Sequence, residues 1–339
     1  MIWDSRRLDP SLDPALAAAD LMPFRRPAPS GTRLCWTGGR QPTRSGEVRP
    51  RSAGLWIMST SMPRFALHDN DDEAPHRFEV YDLSETDDAL IADLAADVRS
   101  LYLDSDFDVV LEQAAQDLDG VSDAAAIQDL IQSAVESTIP APGQRATEPW
   151  LDTARNELAE VICYAALEEV FEASVPAKRV QHKEIPRLMS RGMDAIALKD
   201  DPHVDHQLRL YLAETKASSS TQSPPAVVDR TSDSLHHQLR EALKQRGKVT
   251  SELARALKYT SDAERAKVAR ALVLWGTGKL ATTVVPFLLR PKDRHGADDF
   301  GAFRGEPSAF APAQVAFCLV RIDTTIEALA QAVYEKARA

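Results

Sequence analysis

Apolar residues recur along this chain at two spacings, one near every third or fourth position and one at every second. The first is the period of an amphipathic helix and the second that of a strand. Phe78-Glu79-Val80-Tyr81 alternates and predicts a short strand. Ser84 offers an N-cap, with Glu85, Asp87 and Asp88 in a first turn where the helix dipole favours anions. Leu90, Leu94, Val98, Leu101 and Tyr102 follow at helical spacing. Amphipathic segments around residues 109–118 and 124–135 precede the breaker Pro140-Ala141-Pro142-Gly143. Residues 148–173 form the longest periodic segment, with Leu151, Leu158, Val161, Ile162, Ala165, Leu167, Val170 and Phe171 on one broad apolar face.

Two short apolar runs, residues 192–198 and 210–216, flank the polar turn Lys199-Asp200-Asp201-Pro202-His203 and predict a strand hairpin. Residues 178–183 read as an edge strand leading into it, and residues 217–225, rich in Ser and Pro, as a flexible loop. Three helices follow: one starts at Asp233 and Ser234, one is capped by Thr250, and one spans residues 263–275. Apolar runs at 280–289 and 315–322 predict further strands, and Thr324 or Thr325 caps a closing helix through Ile326, Leu329, Ala330, Val333 and Tyr334. This order predicts an α/β (α+β) fold, a mixed sheet flanked by helices.

Composition divides the chain further. Residues 1–64 hold eight of the 21 prolines, ten arginines and no lysine, with no apolar periodicity. Such a segment cannot bury enough surface to offset its ordering entropy, so a disordered leader is expected, with Met58 and Met62 as alternative starts. Residues 65–146 then read as an acidic, mainly helical N-terminal region and residues 147–339 as the sheet-bearing domain. No run of about 18 apolar residues is present, and the first residues lack a signal-peptide pattern. Cys35, Cys163 and Cys318 are widely spaced, which points to neither a zinc site nor a disulfide framework and leaves the reducing cytoplasm as the expected location.

The net charge of −11 argues against nucleic acid until its distribution is read. Residues 66–172 carry 27 Asp or Glu against four Arg, whereas residues 229–294 carry 14 Lys or Arg against seven acids. A chain so polarised can present a basic face beside an acidic one. Lys244, Arg246, Lys248, Arg255 and Lys258 lie in the basic helices and can track a phosphate backbone; ordinary solvated faces are the other reading of each.

The candidate chemistry lies in the hairpin. Asp194 falls in its first run, Glu214 and Lys216 in its second. Alternation puts Glu214 and Lys216 on one face with Thr215 on the other, and normal pairing brings Asp194 to them. Two carboxylates and a backbone carbonyl make an oxygen-rich site for Mg²⁺. A metal there polarises a phosphoryl oxygen and acidifies a bound water, and Lys216 can orient that water or offset developing charge. A lone E-x-K is usually a surface ion pair; the aspartate on the adjoining strand separates this case from that one. On the long helix Glu157 and Glu160 are neighbours three apart, and either can deliver a third carboxylate. Glu160 borders the apolar stripe and is preferred.

Two decoys are set aside. Gly276-Thr277-Gly278-Lys279 imitates the end of a phosphate-binding loop, but Val273 replaces its first glycine and Leu280 its hydroxyl residue, so no nucleotide site is expected. His203, His206, His236 and His237 have no metal-ligand spacing.

An acidic helix, then Gly192-Met193-Asp194, then an apolar run ending Glu214-Thr215-Lys216 resembles the PD-(D/E)XK nuclease superfamily, with Gly192-Met193-Asp194 in place of the Pro-Asp pair. Arg155-Asn156-Glu157-Leu158-Ala159-Glu160 with the following Tyr164, the Gly192-Met193-Asp194-Ala195 stretch and Leu210-Tyr211-Leu212-Ala213-Glu214-Thr215-Lys216 are more narrowly similar to the HamA family, nuclease subunits of the Hachiman anti-phage system. The resemblance covers residues 147–339, and residues 66–146 only by order and length. It implies a restriction-endonuclease-like fold and a Mg²⁺- or Mn²⁺-dependent DNase working with a superfamily 2 helicase (HamB-like). Asp194, Glu214 and a helix glutamate, Glu160 or Glu157, would bind the metal, and Lys216 would assist the attacking water. The acidic region 66–172 would contact the helicase or mimic DNA. A stand-alone Mrr-like restriction nuclease and an inactive interaction subunit on a nuclease-like scaffold remain the alternatives.

Overall fold

The computed structural model describes residues 63–71, 76–103, 107–117, 123–142, 149–182, 193–229 and 232–339. The expectations for residues 1–62, Gly192 and Cys35 lie outside the described residues. The elements run β1 (Phe65–Asp71), β2 (His76–Leu83), α1 (Asp88–Tyr102), α2 (Phe107–Asp117), α3 (Ala124–Thr138), α4 (Pro149–Glu169), β3 (Ala195–Asp200) and β4 (Leu208–Ala217). Then come α5 (Ala226–Asp229), α6 (Leu235–Lys244), α7 (Arg246–Tyr259), α8 (Asp262–Thr277), β5 (Ala281–Pro291), α9 (Gly301–Gly305), β6 (Gln314–Ile322) and α10 (Ile326–Arg338).

The strands form one mixed six-stranded sheet in the order β1-β2-β6-β5-β4-β3. Its four inner strands, β2, β6, β5 and β4, are mutually parallel, and an antiparallel strand closes each edge. Parallel strands covered on both faces are apolar throughout rather than alternating, and β5 and β6 read that way. One face packs on α1, α3, α4 and α10 through residues such as Leu94, Val135, Leu158, Ile162, Leu329 and Tyr334. The other packs on α6, α7 and α8 through Leu239, Leu253, Val268 and Trp275. The architecture is therefore a sheet between two helical layers.

Residues 65–146 supply two strands to this sheet as well as α1–α3. β1 was not foreseen: five of its seven side chains are exposed, so its sequence lacks an apolar stripe, and pairing with β2 makes it a strand. Three local expectations are corrected. Asp87, not Ser84, caps α1, accepting from Leu90 N at 2.8 Å, while Ser84 Oγ donates to the carbonyl of Arg64. Thr250 lies inside α7, which starts at Arg246, and its hydroxyl donates back to the Arg246 carbonyl at 2.9 Å. Of residues 178–183, the described ones, 178–182, form no edge strand; Arg179–His182 is a single 3₁₀ turn, and among the described residues the outer side of β3 takes one bridge, Ser174 to Leu198. Ser234 and Thr325 cap α6 and α10 as expected.

Candidate active site

The hairpin expected from the sequence forms, with Ala195 paired to Ala213 in an antiparallel register. Asp194, one residue before β3, therefore comes opposite Glu214. Its side chain is fixed by the neighbouring strand: Oδ2 accepts from the backbone N–H of Thr215 at 2.8 Å. Lys216 Nζ lies 3.3 Å from Glu214 Oε1 and 3.2 Å from Asp233, the residue before the cap of α6. In β3 and β4, Ile196, Leu198, Leu210 and Leu212 pack toward α6–α8, and the alternation puts Asp194, Glu214 and Lys216 on that same face. All three candidate carboxylates, Asp194, Glu214 and Glu160, are 6% exposed or less.

Glu160 reaches this group from the opposite layer. α4 crosses the start of β3, where Tyr164 OH donates to the Asp194 carbonyl at 3.1 Å and lies 3.3 Å from Glu160 Oε2. Arg179 makes the bridge: its guanidinium ion-pairs with Glu160 and sits 2.8 Å from Asp194 Oδ1. Nothing in the sequence marked Arg179, which is one of several charged residues in a short basic run. Glu157 is placed elsewhere, among α1, α4 and α10, with the hydroxyls of Tyr102 and Tyr334 donating to its Oε2. The structure thus brings Glu160, not Glu157, to Asp194.

The electrostatics follow from packing acids into a dry edge. Burial and the charge of Asp194 push the Glu214 carboxyl up to about 8 and the Glu160 carboxyl up to about 7. Burial opposes the charge of Lys216, but Glu214, Asp194 and Asp233 outweigh it and raise its pKa, so it remains an ammonium. Burial also lifts Tyr164 well above its ordinary value, so its hydroxyl stays a donor.

Oxygen donors of this kind suit a hard divalent ion, and Glu214 Oε2 is buried without a hydrogen-bond partner among the described residues. Asp194 and Glu214 are the residues that fit it. Among the described residues, no three His, Cys, Asp or Glu side chains gather closely enough to hold a metal ion. The cation present between Glu160 and Asp194 is Arg179 itself.

The basic candidates are dispersed. Arg255 pairs with Glu252 at 3.1 Å and, with Arg179 and Asp194, lines a gap of about 10 Å³ next to the cluster. Lys248 is half-buried near it, adding to the positive field on Glu252. Lys244 pairs with Glu241 at 3.0 Å, and Lys258 lies over the ring of Tyr259. Arg246 stacks on Trp275 at the other end of α7, on the order of 13 Å from Arg255 along the axis. There it lines a cavity of about 880 Å³ with His203, His206, Lys279 and Phe310, near the starts of β4 and β5 and away from the carboxylates. Gly278 ends α8 in a left-handed conformation, so the Gly276-Thr277-Gly278-Lys279 stretch closes the C-terminal end of a helix, whereas a phosphate-binding loop precedes one. His236 packs against Phe303 and Phe310.

No helix among the described residues is long and apolar enough to cross a membrane. Residues 63–272 match the family model described as HamA. No curated protein and no solved structure matches the chain.

Proposed function

The chain belongs to the HamA family, whose role is in Hachiman defence, and from that premise we propose that it is a metal-dependent deoxyribonuclease. It would act as the effector of an anti-phage complex with a superfamily 2 helicase. The observation that supports this reading is the pairing of Asp194 opposite Glu214, with the Lys216 ammonium beside them. A nuclease of the PD-(D/E)XK kind needs that trio on one side of a hairpin.

Asp194 and Glu214 would hold Mg²⁺ or Mn²⁺, with Glu160 behind them as the helix acid. The bound ion would supply Lewis acidity, polarising a phosphoryl oxygen and lowering the pKa of a water. Lys216 is charged, so it serves as a donor and charge partner rather than a base: it can orient the attacking water and offset charge building on the phosphate. Thr215 N–H fixes the Asp194 carboxylate, so this ligand is oriented before any substrate arrives. Arg255 and Lys248 on α7 are the basic candidates nearest the cluster and would meet the phosphate backbone.

The test is cleavage of supercoiled plasmid in Mg²⁺ or Mn²⁺, alone and with the helicase partner. Wild type should nick or linearise DNA while Glu214→Ala and Lys216→Ala do not. Equal behaviour of all three, with the partner present, removes the enzyme reading. The clasp of Arg179 on Glu160 and Asp194 favours a second reading, an interaction subunit on a nuclease-like scaffold, and that outcome would select it.

A further inference from the structure

We propose that Arg179 is a displaceable occupant of the carboxylate cluster, and that Glu252 is the seat it takes when a divalent cation replaces it. The inference rests on the metal-dependent reading above. Arg179 belongs to neither the sheet nor a long helix; it stands in a 3₁₀ turn of four residues. Its guanidinium reaches both oxygens of Glu160 and Oδ1 of Asp194. Three carboxylates, those of Glu160, Asp194 and Glu214, thus meet two cations, and one of these, Lys216, is shared with Asp233. Compensation is incomplete, since Glu214 Oε2 keeps no partner among the described residues.

A buried charge that departs leaves its partners unpaired in a dry site, which is strongly unfavourable, so Arg179 does not simply leave. Exchange of one cation for another avoids that cost. The geometry offers the exchange a destination. Glu252, on the inner side of α7, lines the same small gap as Arg179, Met193, Asp194 and Arg255. Its carboxyl is raised by burial while Arg255, Arg179 and Lys248 draw it down, so Arg179 is already within its electrostatic reach. Among the described residues Glu252 ion-pairs with Arg255, one turn away on its own helix. Rotation about the Arg179 side-chain bonds would carry the guanidinium from Asp194 toward Glu252 with the turn left in place. The gap of about 10 Å³ holds no more than a single water, so the cluster in this arrangement is shut. Moving Arg179 would free an oxygen of Asp194 and enlarge that gap in one motion.

The test reads metal binding and needs no turnover. Full-length protein is titrated with Mn²⁺ and the free ion is followed by its paramagnetic resonance signal, with circular dichroism as the check of folding. Arg179→Met should bind Mn²⁺ at least about tenfold more tightly than wild type, about 1.4 kcal/mol. Arg179→Gln keeps donors for Glu160 and Asp194 without the charge; it should shift the same way and carries the test if the methionine variant does not fold. Glu252→Gln should weaken Mn²⁺ binding several-fold in wild type and leave it unchanged on the Arg179→Met background. Equal or weaker binding by both Arg179 variants would overturn the proposal and make Arg179 a fixed brace. An equal effect of Glu252→Gln in both backgrounds would overturn Glu252 as the receiving seat. Absence of Mn²⁺ binding in every protein would remove the metal-dependent reading itself, a failure distinct from the other two.

Discussion

Two arginines ion-pair with buried carboxylates, and they do so in opposite ways. Arg290, at the end of β5, is completely buried and ion-paired with Asp299. Its Nη1 and Nη2 also donate to the backbone carbonyls of Ser220 and Gln222, and Asp299 also accepts from Gly296 N and contacts His295. The charges there balance one to one. This staple fixes the stretch after Lys216 that composition alone read as a flexible loop, and Ser218 N adds a hydrogen bond to Leu289 at 3.0 Å. Arg179, in contrast, faces more carboxylate than it neutralises, and the carboxyls of its partner Glu160 and of nearby Glu214 are pushed up by burial and the charge of Asp194. A balanced buried pair holds chain segments together. An unbalanced one keeps an unmet demand for positive charge, which is what a cation site requires.

That contrast can be broken or sharpened by four measurements. The largest effect is expected at the staple: Arg290→Met leaves Asp299 buried without its cation and should cost about 3–5 kcal/mol in urea unfolding. Arg179→Met should cost less, because Glu160 and Glu214 can take up protons; equal losses would erase the distinction. Next, Lys216→Ala should slow DNA cleavage about 100-fold, near 2.7 kcal/mol, as removal of a transition-state charge partner does, with little change in urea midpoint.

The third measurement is pH dependence. Between its unfolded value of 4.5 and its folded value of about 8, the Glu214 carboxyl binds more protons in the folded protein than in the unfolded chain. Stability from this group is therefore complete below pH 4.5 and is lost as pH rises toward 8. Glu214→Gln should flatten that decline in metal-free protein; parallel curves for the two proteins would refute the assignment. The smallest effect concerns the basic helices. Arg255→Ala, beside the cluster, should weaken DNA binding and reduce the slope of log affinity against log salt by about one, whereas Lys258→Ala should leave both nearly unchanged. Equal slopes for the two would show that the DNA path does not follow the gap lined by Arg255.

Much of this protein could be read from its residues in order. The hairpin of β3 and β4, the parity that puts Glu214 and Lys216 together, the helices α1 to α4 and α6 to α8, and the caps at Ser234 and Thr325 all follow from periodicities and cap chemistry spanning a few residues. Those signals are local, and a strand's two-residue repeat fixes which side chains share a face before any tertiary contact forms. β1 was hidden because an exposed edge strand needs no apolar stripe; its partner, not its composition, gives it structure. The choice between Glu157 and Glu160 also lay beyond the sequence. Both are on buried turns of α4, and only the layers packed around it send one to Tyr102 and Tyr334 and the other to Arg179. Arg179 itself was one charge in a basic run until Glu160 and Asp194, 19 residues before it and 15 after, closed on it. Sequence determines what each segment tends to be, because propensity and alternation act over one or two turns. Which charges meet in the dry edge of the sheet depends on distant segments excluding water together, and only the assembled fold decides that.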